Sequence, residues 1–223
     1  MTGDRGEEAG DLLRRGLERL GIGAGDETVA RLVRYCVELE KWNRKINLIA
    51  RNTRLEDIVD KHFLDSLTLV PILDRLARAN SSLLDVGSGA GFPGLVLKIV
   101  RPDLSVVLLE PRERRGAFLR HVIRQTGLKD IEVAAARVEE KRIAAGKYAV
   151  ITGRAVADVA TFLGMVAPLA GPETLVICMQ GGGGRGDWRK GDRVGGFACV
   201  GVEETMLPFS RAKRFMLLFR KPE

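Results

Sequence analysis

The chain has 223 residues, 45% hydrophobic and 29% charged, with 36 Lys and Arg against 29 Asp and Glu for a net charge of +7. That length can bury a full core in one domain or in a domain with an appendage, and no apolar run reaches the ~18 residues of a membrane span. Three scattered cysteines and two isolated histidines give neither a disulfide framework nor a metal spacing, so a reducing cytoplasm, no membrane, no metal and a monomer are expected.

In chain order, residues 1–10 read as a frayed, polar tail, unlike a secretory signal. Leu12, Leu13, Leu17 and Leu20 share one face of a short helix over 11–20, which Gly21, Gly23 and Gly25 end. Asp26 is a suitable N-cap for the next helix, where Val29, Leu32, Val33, Cys36 and Val37 recur at three- and four-residue spacing. This helix runs into Lys41-Trp-Asn-Arg-Lys-Ile-Asn-Leu48. A further helical stretch starts at Thr53 and passes Asp65 to Val70, where Pro71 ends or restarts it. Residues 1–80 are thus expected to form a helical extension ahead of a second unit, 81–223.

From Ser82 strands alternate with helices, the mark of a parallel α/β sheet. Strands are expected over 83–86, 105–109, 131–135, around 149–151 and over 174–179, with helices over 94–100, 112–126 and 155–169. The end differs. A basic glycine loop at 181–186 precedes two strands, 197–203 and 214–219, with no helix between them, so the parallel sheet closes on a carboxy-terminal hairpin.

The chemistry is concentrated in Asp85-Val-Gly-Ser-Gly-Ala-Gly-Phe-Pro-Gly94. Gly87, Gly89 and Gly91 permit positive φ and let a ligand lie against the backbone. Pro93 suits a first helical turn, and such a turn aims free N–H groups at what binds there. Asp85, two residues before the first glycine, would repel a pyrophosphate but suits a ligand with a cationic end; alternatively it caps the helix. Glu110 ends the second strand, at about the 20-residue offset where an acid grips ribose hydroxyls. Acid, alternating glycines and a second acid resemble the S-adenosylmethionine-dependent methyltransferases, and imply that cofactor on a Rossmann-like sheet. A dinucleotide site is the competitor.

Several segments together resemble one such family. They are Lys41 to Leu48, His62-Phe-Leu-Asp-Ser66, the glycine turn, Arg137-Val-Glu-Glu140 and Gly153-Arg-Ala155. The chain, over roughly 33–220, looks like the bacterial small-subunit (16S) ribosomal RNA guanine-N7 methyltransferases, the glucose-inhibited division protein B family. The resemblance implies that Gly87 and Phe92 line the cofactor and Glu110 holds its ribose. It implies that Val138 and Glu139 flank the adenine, that Arg154 sits beside the methyl group and incoming base, and that Asn47, His62 and Arg137 belong to the cleft. One departure is plain: Gln180-Gly181 stands where the family carries Lys-Gly, and Arg185, Arg189 or Lys190 is a candidate replacement.

Read alone, Trp42 is a core anchor between helices, and His62 more often a packing residue than a catalyst. Arg112, Arg114, Arg115, Arg120 and Arg124 are either solubilising charges or holders of RNA phosphates. Arg185, Trp188, Arg189, Lys190 and Arg193 form either a plain surface loop or a platform for unpaired RNA. Methyl transfer to another substrate, or RNA binding without catalysis, stays open at this point.

Overall fold

The structure, a computed structural model, describes residues 2–76, 81–138, 146–155, 157–183 and 186–222. An eight-stranded sheet runs through it in the order β3-β2-β1-β4-β5-β8-β7-β6. The strands are β1 (Ser82–Val86), β2 (Ser105–Leu109), β3 (Ile131–Ala134), β4 (Val150–Arg154), β5 (Leu175–Gly181), β6 (Arg193–Val194), β7 (Phe197–Met206) and β8 (Lys213–Arg220). The first five pair in parallel, and β8, β7 and β6 complete the sheet antiparallel. β1 lies between β2 and β4, so the chain order reverses beside it. In open parallel sheets the crevice at that switch point is where ligands bind.

Side chains alternate across the sheet, as the two-residue strand repeat requires. Leu83, Val150, Ile177 and Leu218 enter a core shared with the amino-terminal helices. Their neighbours Leu84, Ile151, Cys178 and Leu217 enter the core of the opposite face. The first core is covered by α1 (Thr2–Arg19), α2 (Asp26–Asn43), α3 (Leu55–Ile58), a π-helical turn (Val59–Leu64), α4 (Asp65–Leu67), α5 (Val70–Leu76), α6 (Gly94–Val100) and α7 (Glu113–Thr126). α8 (Val159–Val166) lies on the other face, burying Phe162, Leu163 and Val166.

Three local expectations are corrected. The supposed tail is the first half of α1: Ala9 is 1% exposed beside Leu13 and Leu17, and a methyl at Gly6 or Gly10 would meet Val33 of α2 at 3.8 or 3.6 Å. α1 thus lies against α2, and a Cβ at either glycine would make only ordinary contact there. α8 starts later than 155, because Ala155 takes φ +53° and Asp158 caps the helix, accepting from the Thr161 N–H at 3.0 Å. β6 is a further short strand that sequence patterning did not show, set by pairing Arg193 with Ala198 and Val194 with Phe197.

Candidate active site

The turn after β1 has the conformation that the glycines imply. Gly87, Gly89 and Gly91 take φ of +69°, +58° and +99°, a region costly for residues with a Cβ. The Gly87 and Ser88 N–H groups donate to Leu109 O at 2.9 and 3.1 Å, tying the turn to the end of β2. Gly94 is needed for space. A methyl there would stand 2.6 Å from Leu108 and 2.7 Å from the Asp85 Cβ, so α6 presses directly on the sheet.

Of the three candidate glycines, Gly87 and Gly89 line a cavity of about 520 Å³. Gly91 instead serves packing, since a methyl there would lie 2.7 Å from Tyr35 Oη. Asp85 also departs from the expectation that it faces a ligand. It is wholly buried, and its Oδ2 accepts the Gly94 N–H at 3.0 Å, capping α6. Oδ1 is buried with no hydrogen-bond partner among the described residues. Burial raises its pKa to about 6, against the opposing pull of the Gly94 bond.

Glu110 is 3% exposed and pinned on the same rim. Its Oε2 accepts from the Gly89 N–H at 2.9 Å and its Oε1 from the Arg112 N–H at 2.8 Å. Each carboxylate oxygen keeps further acceptor capacity.

The cavity brings His62, Phe92 and Arg154 together with Lys61, Asp65, Arg115, Gln180 and Arg214. Arg154, the last residue of β4, donates from Nη1 to Lys61 O and Asp65 Oδ2, both at 3.0 Å, and from Nη2 to His62 Nδ1 at 3.1 Å. Its guanidinium carbon sits 5.1 Å from the Phe92 ring centre, within cation–π range. Phe92 also stacks on His62 at 5.1 Å and on Tyr35 at 5.5 Å. Burial, reinforced by the Arg154, Lys61 and Arg214 charges, pushes the His62 pKa down to about 3. At neutral pH this ring is uncharged and a poor general base.

A second cavity, of about 480 Å³, shares Gly87 with the first. Leu109, Ala136, Val138 and Met165 give it apolar walls, and Arg112 and Arg137 a charged edge. Val138 and Arg137 therefore line this second cavity, whereas His62 and Arg154 line the first. Glu139 is outside the described residues. Asn47 is on neither wall. It is exposed and lines a neighbouring groove of about 470 Å³ with Lys45, Arg51, Arg112, Glu113, Arg114 and Arg115. There its carbonyl accepts from Arg115 at 3.4 Å and its side-chain oxygen from Arg51 at 3.1 Å.

Sequence reasoning missed Asp65 and Arg214 as site residues. Asp65 Oδ1 accepts from Arg214 Nε at 2.7 Å while Oδ2 holds Arg154, so one buried carboxylate joins β4 to β8. The available signal was Asp65 standing three residues after His62, one helical turn on the same face. Nearby, buried Asp60 accepts the Phe209 and Ser210 N–H groups, both at 3.0 Å. The π-helical turn thus clasps the β7–β8 connection as well.

Gln180 lines the cavity, whose lining cations are Lys61, Arg115, Arg154 and Arg214. Arg189 and Lys190 are not on that wall, and Arg185 is outside the described residues. Arg214 pairs with Gly181 across β5 and β8. Trp188 is partly buried and meets Phe219 edge-on at 5.3 Å, which favours packing over a base-stacking role. Trp42 packs against Phe118 and His121 at 5.6 and 5.2 Å, as a core anchor should. All three cysteines are buried, and burial raises Cys36 to about 12, so that thiol is no nucleophile at neutral pH. The described residues of the cavity offer orientation and charge, and His62, the imidazole among them, is a poor base at neutral pH.

Comparison with known proteins agrees with this geometry. A mutant of MtNAS in complex with S-adenosylmethionine matches 88% of this chain and 78% of its own, with TM-score 0.57 and 20% identity. A SAM dependent methyltransferase from Aquifex aeolicus matches 73% and 92%, with TM-score 0.51 and 15% identity. These likenesses establish the Rossmann-like methyltransferase fold. The Ribosomal RNA small subunit methyltransferase G of Desulfotalea psychrophila is 39% identical over 213 residues, 93% of this chain and 96% of that protein. Its namesake in Geobacter metallireducens is 39% identical over 222 residues, 97% and 99% of the two chains. The family model described as rRNA small subunit methyltransferase G matches residues 28–216. The chain belongs to the rRNA small subunit methyltransferase G family.

Proposed function

We propose that the protein transfers a methyl group from S-adenosylmethionine to N7 of a guanine in small-subunit (16S) ribosomal RNA. Family membership supports the reaction and substrate class. The observation that carries the reading to this chain's own residues is the pair of cavities meeting at Gly87, one apolar and one charged.

These residues fit the methyl donor. Leu109, Ala136, Val138 and Met165 give an apolar slot for the adenine. Glu110 stands ready for ribose hydroxyls, and the Gly87 and Gly89 backbone forms a cradle. A Cβ on Gly89 would make only ordinary contact, with Arg115 Nη1 at 3.7 Å and Gly87 O at 3.8 Å. Asp85, beneath the turn, holds α6 in place through the Gly94 N–H. When bound, S-adenosylmethionine supplies an electrophilic methyl group on a sulfonium.

Guanine N7 bears an in-plane lone pair and no proton, so the chain has no proton to remove. The low pKa of His62 is compatible with that need. What the residues supply is alignment, which can lower a barrier by about 7–11 kcal/mol when the reacting atoms are held in a near-attack geometry. Arg154 is fixed by three hydrogen bonds and the Phe92 face, giving the charged cavity a rigid wall.

The basic groove supports the RNA reading. Glu113 also lines this groove, but among the described residues no carboxylate oxygen lies within 4.0 Å of the charged ends of Lys45, Arg51, Arg112 or Arg114, and Arg115 lines both groove and cavity. Unpaired cations beside a catalytic pocket suit the phosphates flanking a splayed base.

The test is tritiated methyl transfer from S-adenosylmethionine to small-subunit RNA. The purified protein should label it, and Gly87→Trp, which puts a bulky side chain where the two cavities meet, should abolish labelling. Undiminished labelling by Gly87→Trp would remove this pocket from the reaction.

A further inference from the structure

His62 has one ring nitrogen engaged and one free. Arg154 Nη2 lies 3.1 Å from Nδ1, and a guanidinium donates hydrogen bonds but cannot accept them. Nδ1 is therefore the acceptor, and the neutral ring carries its proton on Nε2. Among the described residues Nε2 has no hydrogen-bond partner. The ring lies against Phe92 with planes 25° apart, which fixes its orientation, and it forms part of the charged cavity's wall. Burial and three nearby cations keep it unprotonated. The cavity thus holds a neutral, oriented N–H that no described residue uses.

A purine N7 awaiting methylation must keep its lone pair clear of donors, so base identity has to be read from the group beside it. In guanine that group is O6, an acceptor; in adenine it is the N6 amino group, a donor. We propose that His62 is the specificity-determining residue for the target base, donating its Nε2–H to guanine O6. The proposal rests on the guanine-N7 reading above.

A neutral donor suits this position. Methylation leaves positive charge on the base, which a cationic donor at O6 would oppose. Adenine would set its amino hydrogens against the same N–H and leave both unpaired, a mismatch that desolvated sites penalise. The neighbouring cations are already engaged: Arg154 as above, Lys61 with Asp57 at 2.8 Å, Arg214 with Asp65 at 2.7 Å. Gln180 is the competing neutral donor on that wall.

The test compares small-subunit RNA carrying guanine at the target with RNA carrying 2,6-diaminopurine, which keeps N7 and the 2-amino group but replaces O6 with an amino group. The wild-type protein should prefer guanine by about tenfold or more in kcat/KM. His62→Phe, which keeps a ring against Phe92, should treat the two substrates within about twofold. Gln180→Leu should keep the preference. Calorimetry with S-adenosylmethionine and a thermal melt check that each variant retains fold and cofactor site. Equal wild-type rates on the two RNAs would overturn the proposal, as would full preference in His62→Phe or its loss in Gln180→Leu. A wild-type protein that labels neither RNA would instead overturn the N7 reading, and this proposal with it.

Discussion

Arg154 is held in place by Asp65, its Nη1 donating to the carboxylate Oδ2 at 3.0 Å. The same carboxylate takes Arg214 Nε at 2.7 Å, so one anion with 5% of its side chain exposed serves two cations with 20% and 18% exposed. Asp65→Ala leaves both guanidinium groups without that partner. Removing one member of a buried ion pair costs on the order of 3 kcal/mol, and partial exposure of the arginines moves the figure toward the lower end. Urea unfolding should show the loss, and kcat for methyl transfer should fall further than that of an equally destabilised variant remote from the cavity. Unchanged kcat would separate the clasp from catalysis.

Glu110 takes two backbone N–H groups, from Gly89 and Arg112, at the rim of the glycine turn. Glu110→Ala removes that bracing and the acceptor offered to a ribose. Hydrogen bonds to charged groups are worth about 1.5–3 kcal/mol each, so S-adenosylmethionine affinity should drop roughly ten- to hundredfold. Calorimetry reads this directly. An unaltered Kd would displace the ribose from this carboxylate.

The two perturbed groups give opposite pH dependences of stability. Asp85 titrates near pH 6 in the fold and at about 3.9 unfolded. The folded state therefore binds the extra proton between those values, and stability falls as pH rises from about 4 to about 6. Asp85→Asn should gain stability relative to wild type across that window and keep the gain at higher pH. His62 titrates near pH 3 in the fold and at about 6.5 unfolded, so the unfolded chain binds the extra proton and stability rises with pH from about 3 to about 6.5. His62→Phe should lose that rise. Denaturant melts of wild type and both variants at pH 4 and pH 8 distinguish the slopes; parallel behaviour would refute the shifts.

The groove beside the cavity predicts a salt effect. Lys45→Ala and Arg114→Ala, both on the groove and off the two cavities, should each weaken RNA binding and reduce the slope of log K against log salt by about one, with cofactor affinity preserved. Filter binding at several salt concentrations measures it. Slopes equal to wild type would move the RNA elsewhere.

What the sequence revealed was local. Asp85, the glycines and Glu110 lie within one strand–turn–helix–strand unit, so their spacing carried the turn and its acids. Even there the reading was incomplete, because spacing cannot tell a glycine that faces a ligand from Gly91, which yields room to Tyr35, or show that Asp85 turns to Gly94. Asp65 and Arg214 stand 149 residues apart in the chain, and only the β5–β8 pairing puts Arg214 on the cavity wall. Residues 1–10 read as a tail for a related reason: Ala9 is buried only because other elements cover α1.

The most direct test is to map the methylated atom. Small-subunit RNA from cells lacking the protein, incubated with purified protein and S-adenosylmethionine, should gain 7-methylguanosine at a single nucleotide by mass spectrometry of nuclease fragments. Methyl groups on another base, on another atom of guanine, or on no RNA at all would contradict the account.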